Sequence, residues 1–176
     1  QGLTKLDLAR HYQRVAGLLL PHVRGRPLVL LRCPSGARSR CFIQRHAGRG
    51  RRPDEIHSIT VMNNGTAERH LAVDDLAGVV ALAQFGVLEV HAWGAWPGDP
   101  DRPDRITFDL DPGEGTEWHD LVEAARRLRE VLSARGLNPF VKTTGGRGLH
   151  VVVPLERGAT WDDVLDFSRS VAGSLA

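Results

Sequence analysis

The stretch RITFDLDPGEG, residues 105–115, decides how the chain is read. In an extended strand, residues i and i+2 point to one face, so Asp109 and Asp111 project side by side while Phe108 and Leu110 face the opposite, core side. Two carboxylates that close repel each other. A cation between them relieves the repulsion, and an oxygen-rich aspartate pair suits Mg²⁺ or Mn²⁺. Pro112 and Gly113 stop the strand, which puts the pair at its carboxyl end, where open α/β sheets keep their chemistry. An Asp-x-Asp pair alone also fits a solvated strand end or a phosphoester hydrolase, so the surrounding sequence has to decide.

Two further segments bear on it. VKTTGGRGLHVVV, residues 141–153, joins two apolar strands through a turn with three glycines, Thr143, Thr144, Arg147 and, at the head of the next strand, His150. Glycines let backbone N–H groups approach phosphate oxygens, and hydroxyls and cations complete such a cradle. It is not the GxxxxGK[ST] nucleotide loop. In LEVHAW, residues 88–93, alternation puts Glu89, His91 and Trp93 on one face, so His91 can look into the acidic site; a satisfied structural histidine is the competing reading. Together these parts describe a two-metal phosphoryl or nucleotidyl transfer site, with Asp109 and Asp111 holding the ions and the glycine turn gripping a triphosphate.

Working outward, the pattern predicts an amphipathic helix from Thr4, with Asp7 completing a capping box and Pro21 ending it. A hairpin, RPLVLLRCP to RCFIQRH, follows, then a second hairpin turning at Asn64-Gly65. Asp74 is the expected cap of the helix DLAGVVALAQFG, closed by Gly86. Strands at 87–93 and 105–111, a helix from about Trp118 to Ala134, the strands flanking the glycine turn and a helix from near Thr160 complete the order. The class is α+β, a single domain over residues 1–176, its sheet mixed but largely antiparallel and flanked by helices, with some parallel pairing expected from the later crossover.

The composition, 41% hydrophobic and 25% charged, is that of a globular chain with a real core. There is no lipid-length apolar run and no signal-peptide pattern, so a cytoplasmic location is expected. The net charge of +2 hides a division: residues 1–69 hold 13 Lys/Arg against 4 Asp/Glu, net +9, and residues 70–176 hold 10 against 17, net −7. A basic first part suits a polyanion and an acidic second part suits a metal. Cys33 and Cys41 lack zinc-ligand spacing; a hairpin could bring them close enough to bridge, but disulfides are rare in a reducing cytoplasm, so they read as free thiols. The four tryptophans read as packing, and His11, His22, His46, His57, His70 and His119 as scattered surface residues.

The motifs FDLDPGEG, VKTTGGRGLHVVVPL, LEVHAW, CFIQRH and TKLDLARHYQRVAGLLLPHVRGRPLVLLRCPSG, taken in order, closely resemble the polymerase domain of bacterial DNA ligase D, of the archaeo-eukaryotic primase superfamily. The resemblance implies a primase-like fold and template-directed nucleotide addition, preferably of ribonucleotides, at DNA ends carrying a 5′-phosphate during non-homologous end joining. It implies Mn²⁺ or Mg²⁺ as cofactor, a nucleoside triphosphate as substrate, a fused or associated DNA ligase and end-binding repair proteins as partners, and a nucleoid rather than a membrane setting. Carried over by motif, Asp109 and Asp111 are metal ligands and His91 a catalytic contact beside them. Thr144, Gly145, Arg147 and His150 contact the nucleotide, Lys5 the 5′-phosphate, and Phe42 and Arg45 the template. Arg45 stands where relatives carry lysine, Ile43 where they carry a second aromatic, and Thr144 where many carry serine. A third metal carboxylate expected on a later strand has no match before Ala176. The expectation is therefore a C-terminally truncated domain, with a catalytically incomplete DNA-end or 5′-phosphate binding module as the alternative.

Overall fold

Leu28 and Leu30 on one face of a strand, against Val29 and Leu31 on the other, seed the sheet of the first unit. The computed structural model describes residues 2–48, 50–63 and 65–175, and the chain divides into two compact units, Gln1–Pro100 and Asp101–Ala176. In the first unit the elements are α1 (Lys5–Val23), β1 (Leu28–Arg32), β2 (Phe42–Gln44), β3 (His57–Asn63), β4 (Thr66–Ala72), α2 (Leu76–Gln84) and β5 (Val87–Ala92). β1 is the organising strand: it pairs antiparallel with β5 along its length, with β2 at its end and with β4 at its start, and β3 completes the sheet beside β4. Leu28, Leu30 and Leu71 bury completely against Tyr12 and Val23 of α1 and Val79 and Leu82 of α2. Each such aliphatic side chain contributes about 1.5–3 kcal/mol on burial.

β6 (Ala95–Trp96) and β7 (Asp99–Pro103) form a short two-stranded hairpin. The second unit holds β8 (Arg105–Leu110), α3 (Trp118–Ser133), β9 (Phe140–Thr143), β10 (Leu149–Pro154) and α4 (Trp161–Gly173). Its strand order is β8-β10-β9, with β10 antiparallel to both neighbours. β8 and β9 therefore run the same way, as the α3 crossover requires, but β10 is inserted between them. This is why the expected parallel pairing is absent from the ladders: parallel contacts among the described residues are limited to the isolated bridges Arg24–Val73 and Arg157–Ala159. Ile106, Leu149, Val151 and Val153 face Leu121, Leu128 and Leu132 of α3 and Val164 and Val171 of α4. The fold is α+β with antiparallel sheets and four helices, as the sequence predicts.

Several local expectations are corrected. Pro21 does not end α1, which runs on to Val23; a proline near the last turn loses one N–H, and the Arg24 N–H still closes on the Leu20 carbonyl at 3.0 Å. The cap of α2 is Asp75, whose carboxylate accepts from the Gly78 N–H at 2.8 Å; Asp74 instead lies 3.4 Å from His57 Nε2. Cys33 and Cys41 are not free thiols but a disulfide. The ladder pairs Leu30 with Gln44, Leu31 with Ile43 and Arg32 with Phe42, so the next cross-strand pair in that register is the two cysteines. Of the Asn64-Gly65 turn, Asn64 lies outside the described residues, while Gly65 has the positive φ of 76° that the turn needs. Trp118 and Trp161 each sit at the first helical position of their helices and are exposed, so they are rim rather than core.

Thr160 and Asp163 form a reciprocal cap at the start of α4: the Thr160 hydroxyl and N–H donate to Asp163 Oδ2 at 2.7 and 2.8 Å. These bonds, the hydroxyl first, hold the Asp163 carboxyl below its ordinary value. Because the folded-state pKa is depressed, the capping contribution is fully present above the unfolded pKa, about 3.9, and is lost as pH falls through the folded value. In a carboxyl-carbon NMR titration, Thr160→Ala is expected to raise the Asp163 midpoint toward the ordinary range; an unchanged midpoint would contradict this assignment. Reducing the Cys33–Cys41 bridge frees a short loop, which in the chain-entropy picture costs roughly 2–3 kcal/mol. Thermal unfolding with and without reductant should show a lower midpoint when reduced, and Cys41→Ser should abolish the difference.

Candidate functional site

In the second unit both helices pack on one face of the sheet, and the other face carries a row across all three strands. The ladder sets His150 opposite Asp109 on one side and opposite Lys142 on the other, so the three side chains share that face. His150 Nε2 lies 3.2 Å from Asp109 Oδ1. Asp111, two residues beyond Asp109 and just past the end of β8, is exposed. Its Oδ1 lies where it would be 2.6 Å from a Cβ built on Gly148, and the Leu110 carbonyl would be 2.8 Å from the same atom. No side chain fits at residue 148, and glycine there brings the turn's backbone against the second acid. The turn is braced from within: the Thr144 hydroxyl donates to the Gly148 carbonyl at 3.1 Å and accepts from the Gly146 N–H at 3.1 Å, while Gly145 takes a φ of 86°. Arg147 at its tip is exposed. Asp109, Asp111, Thr144, Gly145, Arg147 and His150 therefore all belong to one strand-end cluster.

The remaining predicted residues belong to the first unit. His91 shares a face with Glu89, its Nε2 3.1 Å from Glu89 Oε2. Lys5 Nζ donates to the Gln84 carbonyl at the end of α2, 3.2 Å away. Phe42 is 45% exposed on β2. Together with Arg45 it lines an open cavity of about 410 Å³ to which Arg32, Gln44, Arg51 and Arg52 also contribute. Arg32 was not singled out by sequence reasoning, yet it anchors this surface. Its guanidinium stacks 3.4 Å from the Phe85 ring centre and 5.3 Å from that of Phe42, and donates to the Phe85 carbonyl and to Gln44 Oε1. Burial lowers its pKa from the ordinary guanidinium value.

A second cavity, about 560 Å³, opens on the face of the first sheet away from the helices and is lined by Val29, Leu31, His46, Glu68, His70, Glu89, His91 and Trp93 among others. Among the described residues, His46, Glu68 and His70 are the group of three whose ligand atoms lie close enough to hold a metal ion, all within 4.8 Å of one another. The expectation that these histidines are surface residues fails for His70, which is 2% exposed. The signal was legible in part: Glu68 and His70, like Glu89 and His91, are two apart on a strand and must share a face. The contribution of His46, 24 residues away, depends on tertiary structure.

Residues 4–176 match the model of the family described as LigD, primase-polymerase domain. The chain is 37% identical over 98% of its length to the multifunctional non-homologous end joining protein LigD of Pseudomonas aeruginosa, and 36% identical over 90% to the LigD DNA repair protein of Mycobacterium tuberculosis. It spans 20% and 22% of those relatives' own lengths. The solved polymerase domain of M. tuberculosis ligase D in complex with DNA superposes with a TM-score of 0.86 at 32% identity, over 98% of this chain and 62% of that one. On sequence and fold alike, the chain belongs to the LigD primase-polymerase family.

Proposed function

We propose that the two units act as one primase-like domain that adds nucleotides at broken DNA ends during non-homologous end joining. The substrate is a nucleoside triphosphate, preferentially a ribonucleotide, and the acceptor is a primer 3′-hydroxyl facing a downstream 5′-phosphate. A DNA ligase, fused or associated, and end-binding repair proteins complete the pathway in the bacterial cytoplasm at the nucleoid. The observation that carries this reading is the convergence at Gly148: two neighbouring carboxylates and an anion-suited turn meet at one strand end.

Asp109 and Asp111 offer hard carboxylate oxygens, are exposed, and face a backbone with no side chain in the way, so the donor set fits Mn²⁺ or Mg²⁺. When bound, such ions supply Lewis-acid charge at the phosphate oxygens and at the attacking hydroxyl. The chain's own residues do the rest. The braced turn at Thr144 and Gly145 receives the triphosphate, with Arg147 and His150 against its outer phosphates. The 3′-hydroxyl gives up its proton to solvent as its oxygen attacks the α-phosphorus, a new P–O bond forms, and the bond to pyrophosphate breaks. Arg147 and His150 neutralise the charge that builds on the leaving group. His91, on β5 of the first unit, is the catalytic contact that the family resemblance implies.

In the first unit, Phe42 stacks on a template base while Arg45, with Arg32, Arg51 and Arg52 around the same cavity, follows the phosphate backbone. Lys5 has ammonium donors beyond the one spent on Gln84, and these take the 5′-phosphate. The DNA complex of the M. tuberculosis relative supports this reading.

Primer extension on a 5′-phosphorylated gap with Mn²⁺ tests the proposal. Asp109→Ala and Asp111→Ala should each lower the rate by two to three orders of magnitude, on the order of the loss when one charge-stabilising group is removed. Gly148→Ala should do likewise without removing any reactive group, because its Cβ displaces Asp111. Wild-type rates in the aspartate variants would exclude this chemistry. Binding of 5′-phosphorylated ends with no extension by the unmutated chain would identify a binding module instead.

A further inference from the structure

The cavity on the open face of the first sheet brings together ligand atoms of His46, Glu68 and His70, all within 4.8 Å of one another. His70 is buried, and its Nδ1 lies 2.9 Å from the backbone carbonyl of Arg45. A carbonyl only accepts, so Nδ1 carries a hydrogen and Nε2 is the ring atom left to face Glu68. Glu68 Oε2 lies 3.1 Å from it. A second ring proton bridges such a pair, and so does a metal ion held by both atoms. The carboxylate is itself held from behind, since Glu68 Oε1 accepts from Asn63 Nδ2 at 3.2 Å. A ring nitrogen tied to a backbone carbonyl and a carboxylate tied to an amide are the outer-shell restraints that orient metal ligands.

His46 supplies the third donor. Its ring lies tilted against that of His70, 5.0 Å between centres, and its ligand nitrogen is among the group within 4.8 Å. Donors around a tetrahedral zinc-type ion sit roughly 3.3 Å apart. Exposed His46 can close the difference by side-chain rotation. Trp93 stacks edge-on against His70, 4.7 Å between centres, and dries the inner wall. The outer side opens into the cavity, where water or the Glu89–His91 pair can supply a fourth donor.

We infer that His46, Glu68 and His70 form a binding site for one zinc-class divalent ion, separate in ligand chemistry from the paired aspartates of the second unit. Two imidazoles and one carboxylate select Zn²⁺ over the Mg²⁺ and Mn²⁺ that all-oxygen sites favour. The ion ties the segment after β2 to β4, and so fixes the backbone that carries Arg45. This inference does not depend on nucleotidyl transfer.

The test uses the full chain stripped with chelator, carrying Asp109→Ala and Asp111→Ala so that the acidic site is silent. Calorimetric titration with Zn²⁺, with elemental analysis after gel filtration, is expected to give one ion per chain. Adding His46→Ala or Glu68→Gln should weaken binding by at least about 10–100-fold, the range seen when even outer-shell partners of a metal are removed. Both positions are less buried than His70, and circular dichroism confirms that each variant is folded. Co²⁺ in place of Zn²⁺ should give the visible absorption of a four-coordinate site in the parent and not in the variants. Absence of bound Zn²⁺ in the parent would overturn the inference and leave a proton bridging His70 and Glu68. Equal affinity in folded His46→Ala and Glu68→Gln would overturn it as well.

Discussion

Crowding at Gly148 is the constraint on which the site depends. Asp111 Oδ1 and the Leu110 carbonyl occupy the space that any side chain at residue 148 would need. The result is a turn whose backbone lies against a carboxylate at the end of β8, while β10 carries His150 directly opposite Asp109. Acids near a glycine turn would ordinarily be pushed apart by their own charge and by side-chain volume. Removing the volume leaves only the charge, which is the repulsion that the proposed divalent cation would relieve.

The topology of the second unit makes this arrangement rigid. With β10 inserted between β8 and β9, the turn from residue 144 to 148 is anchored at both ends in adjacent strands, and the Thr144 hydroxyl bridges its base. The two helices bury the opposite face through Val151, Val153, Leu128 and Leu132, leaving the polar row free. The first unit repeats the plan with different chemistry. Helices α1 and α2 cover one face, and the other face displays Arg45, Trp93 and the imidazoles of His46, His70 and His91.

Strand-level geometry was the most legible layer of the sequence. Period-two alternation is set by the backbone itself, so Asp109 with Asp111, and Glu89 with His91, could be paired before any coordinates. The capping box expected at Thr4 was equally local and is present, and the helix expected from near Thr160 begins at a capping box of the same kind. What failed depended on partners distant in sequence or on register. The Cys33–Cys41 bridge follows from a cross-strand register that composition does not encode, and the expectation of free thiols rested on compartment rather than geometry. Arg32 reads as one arginine among many until Phe85, 53 residues on, stacks against it. His70 reads as a surface histidine until β4 turns it inward. Asp74 and Asp75 are equivalent caps in sequence; only the hydrogen bond to Gly78 separates them.

Asp109, Asp111 and the turn at residues 144–150 are proposed to hold divalent ions jointly beside a nucleoside triphosphate. Anomalous diffraction from crystals grown with Mn²⁺ and a non-hydrolysable triphosphate reads this directly. The account predicts manganese peaks about 2.0–2.2 Å from oxygens of both aspartates, with the phosphates lying along Thr144, Arg147 and His150. Manganese found only elsewhere, or a triphosphate bound away from that turn, would contradict it.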